Sequence, residues 1–122
     1  EATLASRGMA GLAQLFEPVV EELAAEGVPI FDGFDIDSLD FAPGGGLAHN
    51  HARLARLPRG VSWLICHAAR MGDELAAISA DAHAREFERT FFGGETGRRL
   101  FAEQSIRTTG MRALRAAMRG EP

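Results

Sequence analysis

Lysine is missing from these 122 residues, cysteine occurs once, and no apolar stretch is long enough to cross a bilayer. Each absence excludes something. A single thiol, Cys66, rules out an internal disulfide, and with no Cys-x-x-Cys pair a structural zinc knot has no ligands. A spanning helix needs roughly 18 consecutive apolar residues, and the N-terminus has no basic-then-apolar leader, so a cytoplasmic protein away from membranes is the expectation. All thirteen basic residues are arginine, and the formal net charge is −4. Without a basic cluster, nucleic acid is excluded as a partner, because its binding depends on many phosphate contacts. The missing lysine carries no functional reading, since coding bias produces it as readily as selection.

What is present describes a globular chain. Hydrophobic residues make up 46% and charged residues 25%, the balance of a folded domain. At this length a core that buries about two-thirds of the unfolded surface is attainable. Residues 1–122 are therefore expected to form a single domain.

Met9, Leu12, Phe16, Val19, Val20 and Leu23 recur at three- and four-residue spacing, which predicts a helix running toward Glu26. Gly27 stops it, and Pro18 either kinks it or opens a new helix in its first turn. Val28-Pro29-Ile30-Phe31 reads as a first short strand, followed by an exposed Asp-rich segment from Asp32 to Asp40. Pro43 and Gly44-Gly45-Gly46 mark a loop. Leu47, Leu54 and Leu57, with Arg53 and Arg56, give a second helix closed by Pro58 and Gly60. Val61 to Cys66 is apolar at nearly every position, as in a parallel strand covered on both faces, and Cys66 there reads as an inert core thiol. Asp81 is a candidate N-cap for a helix carrying Phe87 and Phe91 at i, i+4. Gly93 and Gly94 end that helix, Thr96 to Gln104 forms another with Leu100 and Phe101 inward, Ile106 to Thr109 reads as a third strand, and Met111, Leu114 and Met118 stripe a last helix.

This order predicts an α/β fold, a parallel sheet of βα units. Three strands are too few to close a barrel and leave sheet edges open. The expectation is a partial domain whose edge is covered by an N-terminal segment or a partner chain; homo-oligomerisation is compatible with the same edge.

In parallel α/β sheets the ligand site lies beyond the carboxyl ends of the strands. That rule selects Asp32, Asp35 and Asp37 after the first strand and His67 with Arg70 after the second. An imidazole there can give or take a proton near neutral pH; the alternative is a strand-end histidine bonded to backbone. His49-x-His51 resembles a metal pair, but residues two apart on a helix diverge, so a solvated helix face is the reading adopted. His83, in a first helical turn, is expected to be exposed. The aspartates from 32 to 40 lack the glycine and closing glutamate of a calcium loop, and Gly44-Gly45-Gly46 lacks the Lys-Ser/Thr of a phosphate loop. Arg112, Arg115 and Arg119 share one side of the last helix and complement its dipole.

The stretch Leu57-Pro58-Arg59-Gly60-Val61-Ser62-Trp63-Leu64-Ile65-Cys66-His67, continuing through Glu74-Leu75-Ala76-Ala77-Ile78, Arg85 and Ser105-Ile106-Arg107-Thr108, is similar to the C-terminal part of the YdjC/ChbG-like carbohydrate deacetylases. The resemblance extends from about Val28 to Arg115. It implies the C-terminal portion of a (β/α)-barrel-like fold and hydrolytic removal of acetyl groups from N-acetylated oligosaccharides. It also implies a divalent metal, magnesium or zinc, in the full-length protein, with no metal expected in this chain alone, since the family's ligands lie in an N-terminal half. Of the family's characteristic positions only His67 is matched, and the usual His-Pro is here His67-Ala68, which removes proline's restraint on the turn. By this resemblance His67 is the catalytic residue, suited to the acid role and equally to orienting substrate or a supporting carboxylate, and Arg70 and Asp32 are substrate-binding. The competing class is a non-catalytic α/β binding or interaction domain.

Overall fold

The structure, a computed structural model, describes residues 10–121. It is mixed α/β, mostly helical, with one two-stranded parallel sheet. The chain divides into two compact units, Glu1–Asp32 with Thr108–Pro122, and Gly33–Arg107.

In the first unit α1 spans Ala10–Ala25. Pro18 lies inside it without ending it, although its missing N–H removes the intrahelical bond to the Gln14 carbonyl. Met9, at the head of the predicted stripe, lies outside the described residues. Phe16, Val19, Val20 and Leu23 are exposed: the stripe makes the helix amphipathic without burying it. Gly27 takes φ +76°, and the Val28 N–H reaches the Leu23 carbonyl (2.9 Å) while that of Gly27 reaches Ala24 (3.0 Å). This is the Schellman closure that glycine makes accessible. Val28–Phe31 then runs without strand pairing, correcting the first predicted strand: apolar, β-branched character alone does not make a strand that has no ladder partner. The second segment of this unit carries the last helix, α6, Met111–Met118, which is amphipathic and shallowly packed in the same way. Met111 and Met118 are exposed, and Leu114 is half-buried.

In the second unit β1, Gly33–Asp35, pairs in parallel with β2, Ser62–Leu64, in the register Gly33↔Ser62, Phe34↔Trp63, Asp35↔Leu64. A parallel pair requires a long crossover, and here it contains a helix, α2, Gly46–Ala55. There follow α3 (Asp73–Ile78), α4 (Ala82–Gly93) and α5 (Glu95–Glu103). The predicted helices from Ala82 onward stand, with Phe87 and Phe91 stacked at 5.5 Å. The apolar core is small: Leu54, Phe91 and Leu100, flanked by Leu57, Leu64, Phe87, Phe92, Phe101 and Ile106. Gly46 lets α2 approach α4, because a Cβ there would lie 2.6 Å from the Phe87 ring.

Three expectations are corrected here. The second strand is shorter than predicted and is not covered on both faces, since Trp63 is 38% exposed. Cys66 lies beyond its end and is exposed rather than a core thiol. Ile106–Thr109 is not a strand: Ile106 turns in toward the core, its N–H bonded to the Phe101 carbonyl at 2.8 Å.

Candidate functional site

The most heavily bonded part of the second unit is a buried polar cluster that the sequence reading did not assemble. At its centre Arg53 is 0% exposed. The helix α2 places Gly46, Asn50, Arg53 and Leu54 on its buried side, the i, i+4, i+7, i+8 spacing of one helical face. Two polar residues therefore occupy positions that would normally be apolar, and the neighbouring elements bring their partners. Arg53 Nε donates to Asp35 Oδ1 at 2.8 Å, Nη1 to Asn50 Oδ1 at 2.9 Å and to Glu88 Oε1 at 3.0 Å, and Nη2 to the Ile65 carbonyl at 2.6 Å. Asn50 in turn donates to the Gly46 carbonyl (2.9 Å).

Asp35, the last residue of β1, is 8% exposed, which corrects the expectation of a solvated Asp-rich segment. Once a guanidinium is fixed beneath the strand end, a carboxylate there is more stable paired than hydrated alone. Arg56, one turn beyond Asn50's helical neighbours, adds a bond to Asp35 Oδ2 at 3.0 Å, and the Asp37 N–H adds one to Oδ1 at 3.1 Å. Burial pushes the Asp35 carboxyl up, but the bonds from Arg53 and Arg56 outweigh it and hold it below the usual carboxylate range. Two carboxylates, Asp35 and Glu88, thus face two guanidiniums, Arg53 and Arg56.

Glu88 comes from α4 and is 0% exposed. Its Oε1 also accepts the Ser38 hydroxyl at 2.7 Å, and its Oε2 accepts the His67 backbone N–H at 2.6 Å. The His67 ring extends the same chain, with Nδ1 3.0 Å from Ser38 Oγ. His67 is exposed, so the imidazole sits at the outer end of a buried, charged support. Ser38, at 2% exposure with its proton on Glu88, is not placed as a nucleophile: a serine that attacks must reach substrate and pass its proton to a base.

The other candidates separate. Arg70 is exposed in the loop after His67. Nearby, Glu86 accepts the Met71 N–H at 2.7 Å and is pushed down to about 2, first by its bonds from Arg89 and then by that N–H. Asp32 belongs to the first unit, whereas His67 and Arg70 belong to the second. His49 is half-buried, its Nε2 2.6 Å from the Asp37 carbonyl and its ring on Phe41, and His83 is tied to the Phe41 carbonyl at 2.8 Å. Neither lies on an open helix face as expected; each satisfies a carbonyl of the loop between β1 and α2. His51 is exposed. Asp81 stands at the N-cap of α4 without capping it, because its carboxylate is taken by Arg85 (2.9 Å) and Ser79. Among the described residues no three His, Cys, Asp or Glu side chains converge as a metal site.

Of this network the sequence singled out His67, and Ser38, Asn50 and Glu88 were missed. The available signal was α2's periodicity, which puts Asn50 and Arg53 on the face of Leu54. Comparison with protein-family models, with curated proteins and with solved structures returns no match.

Proposed function

We propose that the protein is a carbohydrate deacetylase of the YdjC/ChbG-like kind, hydrolysing the acetamide of N-acetylated oligosaccharides, and that this chain contributes the proton donor, His67. The observation that supports this most is an exposed imidazole held at its backbone N–H by Glu88 and at Nδ1 by Ser38. A histidine exposed and positioned in this way is available for general acid–base work. The mixed α/β architecture with a parallel strand pair is compatible with the C-terminal portion of a (β/α)-barrel-like fold.

In this reading water adds to the acetyl carbonyl and gives up a proton to solvent, and the C–N bond breaks as His67 in its imidazolium form passes a proton to the departing sugar nitrogen. The products are the free amine and acetate, and His67 regains its proton from solvent. Arg70, exposed in the following loop, would donate hydrogen bonds to sugar hydroxyls. The reading includes a divalent metal, magnesium or zinc. The described residues do not form its ligand set, and no step is assigned through it.

Acetate release from N-acetylated chitooligosaccharides by the full-length protein, with magnesium or zinc supplied, tests the proposal. His67→Ala should lower turnover by about 10²–10⁴-fold, the usual contribution of a positioned acid, while the fold persists. No acetate release above buffer, or unchanged turnover in the variant, would overturn it.

A further inference from the structure

We infer that Ser38 and Glu88 are positioning residues that fix the His67 imidazole in one tautomer, with the proton on Nδ1 and the lone pair on Nε2. The inference rests on reading His67 as the acid–base group, but its chemistry does not depend on the identity of the sugar.

Glu88, ion-paired with Arg53 at 3.0 Å, is an acceptor only. Its Oε1 lies 2.7 Å from Ser38 Oγ, so the one hydroxyl proton of Ser38 must point at Glu88; turned elsewhere, it would set two oxygen lone pairs against each other inside the protein. Ser38 Oγ then has only lone pairs to offer His67. At 3.0 Å, Nδ1 makes a hydrogen bond only if it carries the proton. The chain therefore runs in one direction, from His67 Nδ1–H to Ser38 Oγ–H to Glu88. Ser38 at 2% and Glu88 at 0% exposure shield the Ser38–Glu88 link from water.

The same carboxylate also holds the His67 backbone N–H through Oε2 at 2.6 Å. Ring and main chain are thus keyed to one rigid group, itself held by Arg53. The outcome is a neutral imidazole that presents Nε2 as a base or, once protonated there, an Nε2–H as an acid. In both states Nδ1–H keeps its bond to Ser38, so the proton transferred is always the one on Nε2.

Nitrogen-15 NMR of the chain, labelled at histidine, reads this directly. The His67 signals are assigned by their loss in His67→Asn. About two pH units above the ordinary histidine pKa of ~6.5, Nδ1 should resonate in the protonated, pyrrole-type range and Nε2 in the unprotonated, pyridine-type range. In Ser38→Ala the proton should move predominantly to Nε2. Protonated Nε2 in the wild-type chain overturns the inference, and so does a Ser38→Ala spectrum identical to wild type. The wild-type spectrum decides the matter even if the variant does not fold. Loss of the deacetylase reading in the acetate assay leaves the tautomer measurement unaffected, so the two failures are distinguishable.

Discussion

Replacing Arg53 by methionine should remove most of the second unit's stability. Methionine fills much of the volume, so the cost comes from charge rather than from a cavity. Asp35 would keep Arg56 and the Asp37 N–H. Glu88, at 0% exposure, would keep the Ser38 hydroxyl and the His67 N–H but lose its cation. Removing one partner of a buried ion pair costs about 3–5 kcal/mol, because the other charge remains desolvated. The Ile65 carbonyl and Asn50 Oδ1 each lose a donor as well, and the apolar gain of the methionine offsets part of that. A net loss of about 4 kcal/mol is most of the stability of a small domain at the low end of the usual range, about 5–15 kcal/mol. Trp63, the sole tryptophan and a residue of β2, makes urea unfolding of this unit readable by fluorescence. With m of about 2 kcal/mol/M, the midpoint should fall by about 2 M. Arg98→Met is the control: its pair with Glu95 is 64% and 71% exposed, and such pairs contribute about 0–1 kcal/mol. Adding Glu88→Gln to Arg53→Met removes the stranded charge and should recover part of the loss. A midpoint shift below about 0.5 M for Arg53→Met, or a double variant no more stable than the single, would refute the account of a charge-balanced cluster.

Acid should destabilise the fold. Asp35, Asp81 and Glu86 all have folded-state values below their ordinary ones, Glu86 at about 2, so their contribution is complete above the unfolded carboxylate pKa of ~4 and is lost as pH falls through the folded values. Urea midpoints measured from neutral pH downward should decline between about pH 4 and pH 2, and less steeply in Asp35→Asn; a midpoint that holds or rises there contradicts the pairing. Cys66 should react with a thiol reagent in the native chain, one equivalent without a lag, since it is exposed; labelling that waits for unfolding would return it to the core.

The helices were legible because their signals are local. Phe87 and Phe91 sit one turn apart and stack, and Leu100 is buried in α5. The strands were less so. Val28–Phe31 has strand composition but no strand pairing, whereas Gly33–Asp35 contains two poor strand formers and pairs because Ser62–Leu64 lies beside it. Pairing is a property of two distant segments, and composition reports on one. His67 was found from its place after an apolar run, yet what holds it was missed. Ser38 and Glu88 lie 29 and 21 residues away, and neither is unusual in its own neighbourhood. Arg53 is placed by the sequence on the Leu47–Leu57 helix and no further, and its burial goes against the rule that arginine is seldom wholly buried.

A strand pair of three residues each does little to define its own alignment, and short ladders are prone to slip. Sliding β1 by one residue against β2 would turn Asp35 to the opposite face of the sheet and present Phe34 to the Arg53 guanidinium. The slipped state would bury a cation opposite a phenyl ring and expose its carboxylate to solvent. The ion pair between Asp35 and Arg53 therefore acts as a vernier, admitting one setting of the two strands and rejecting its neighbours.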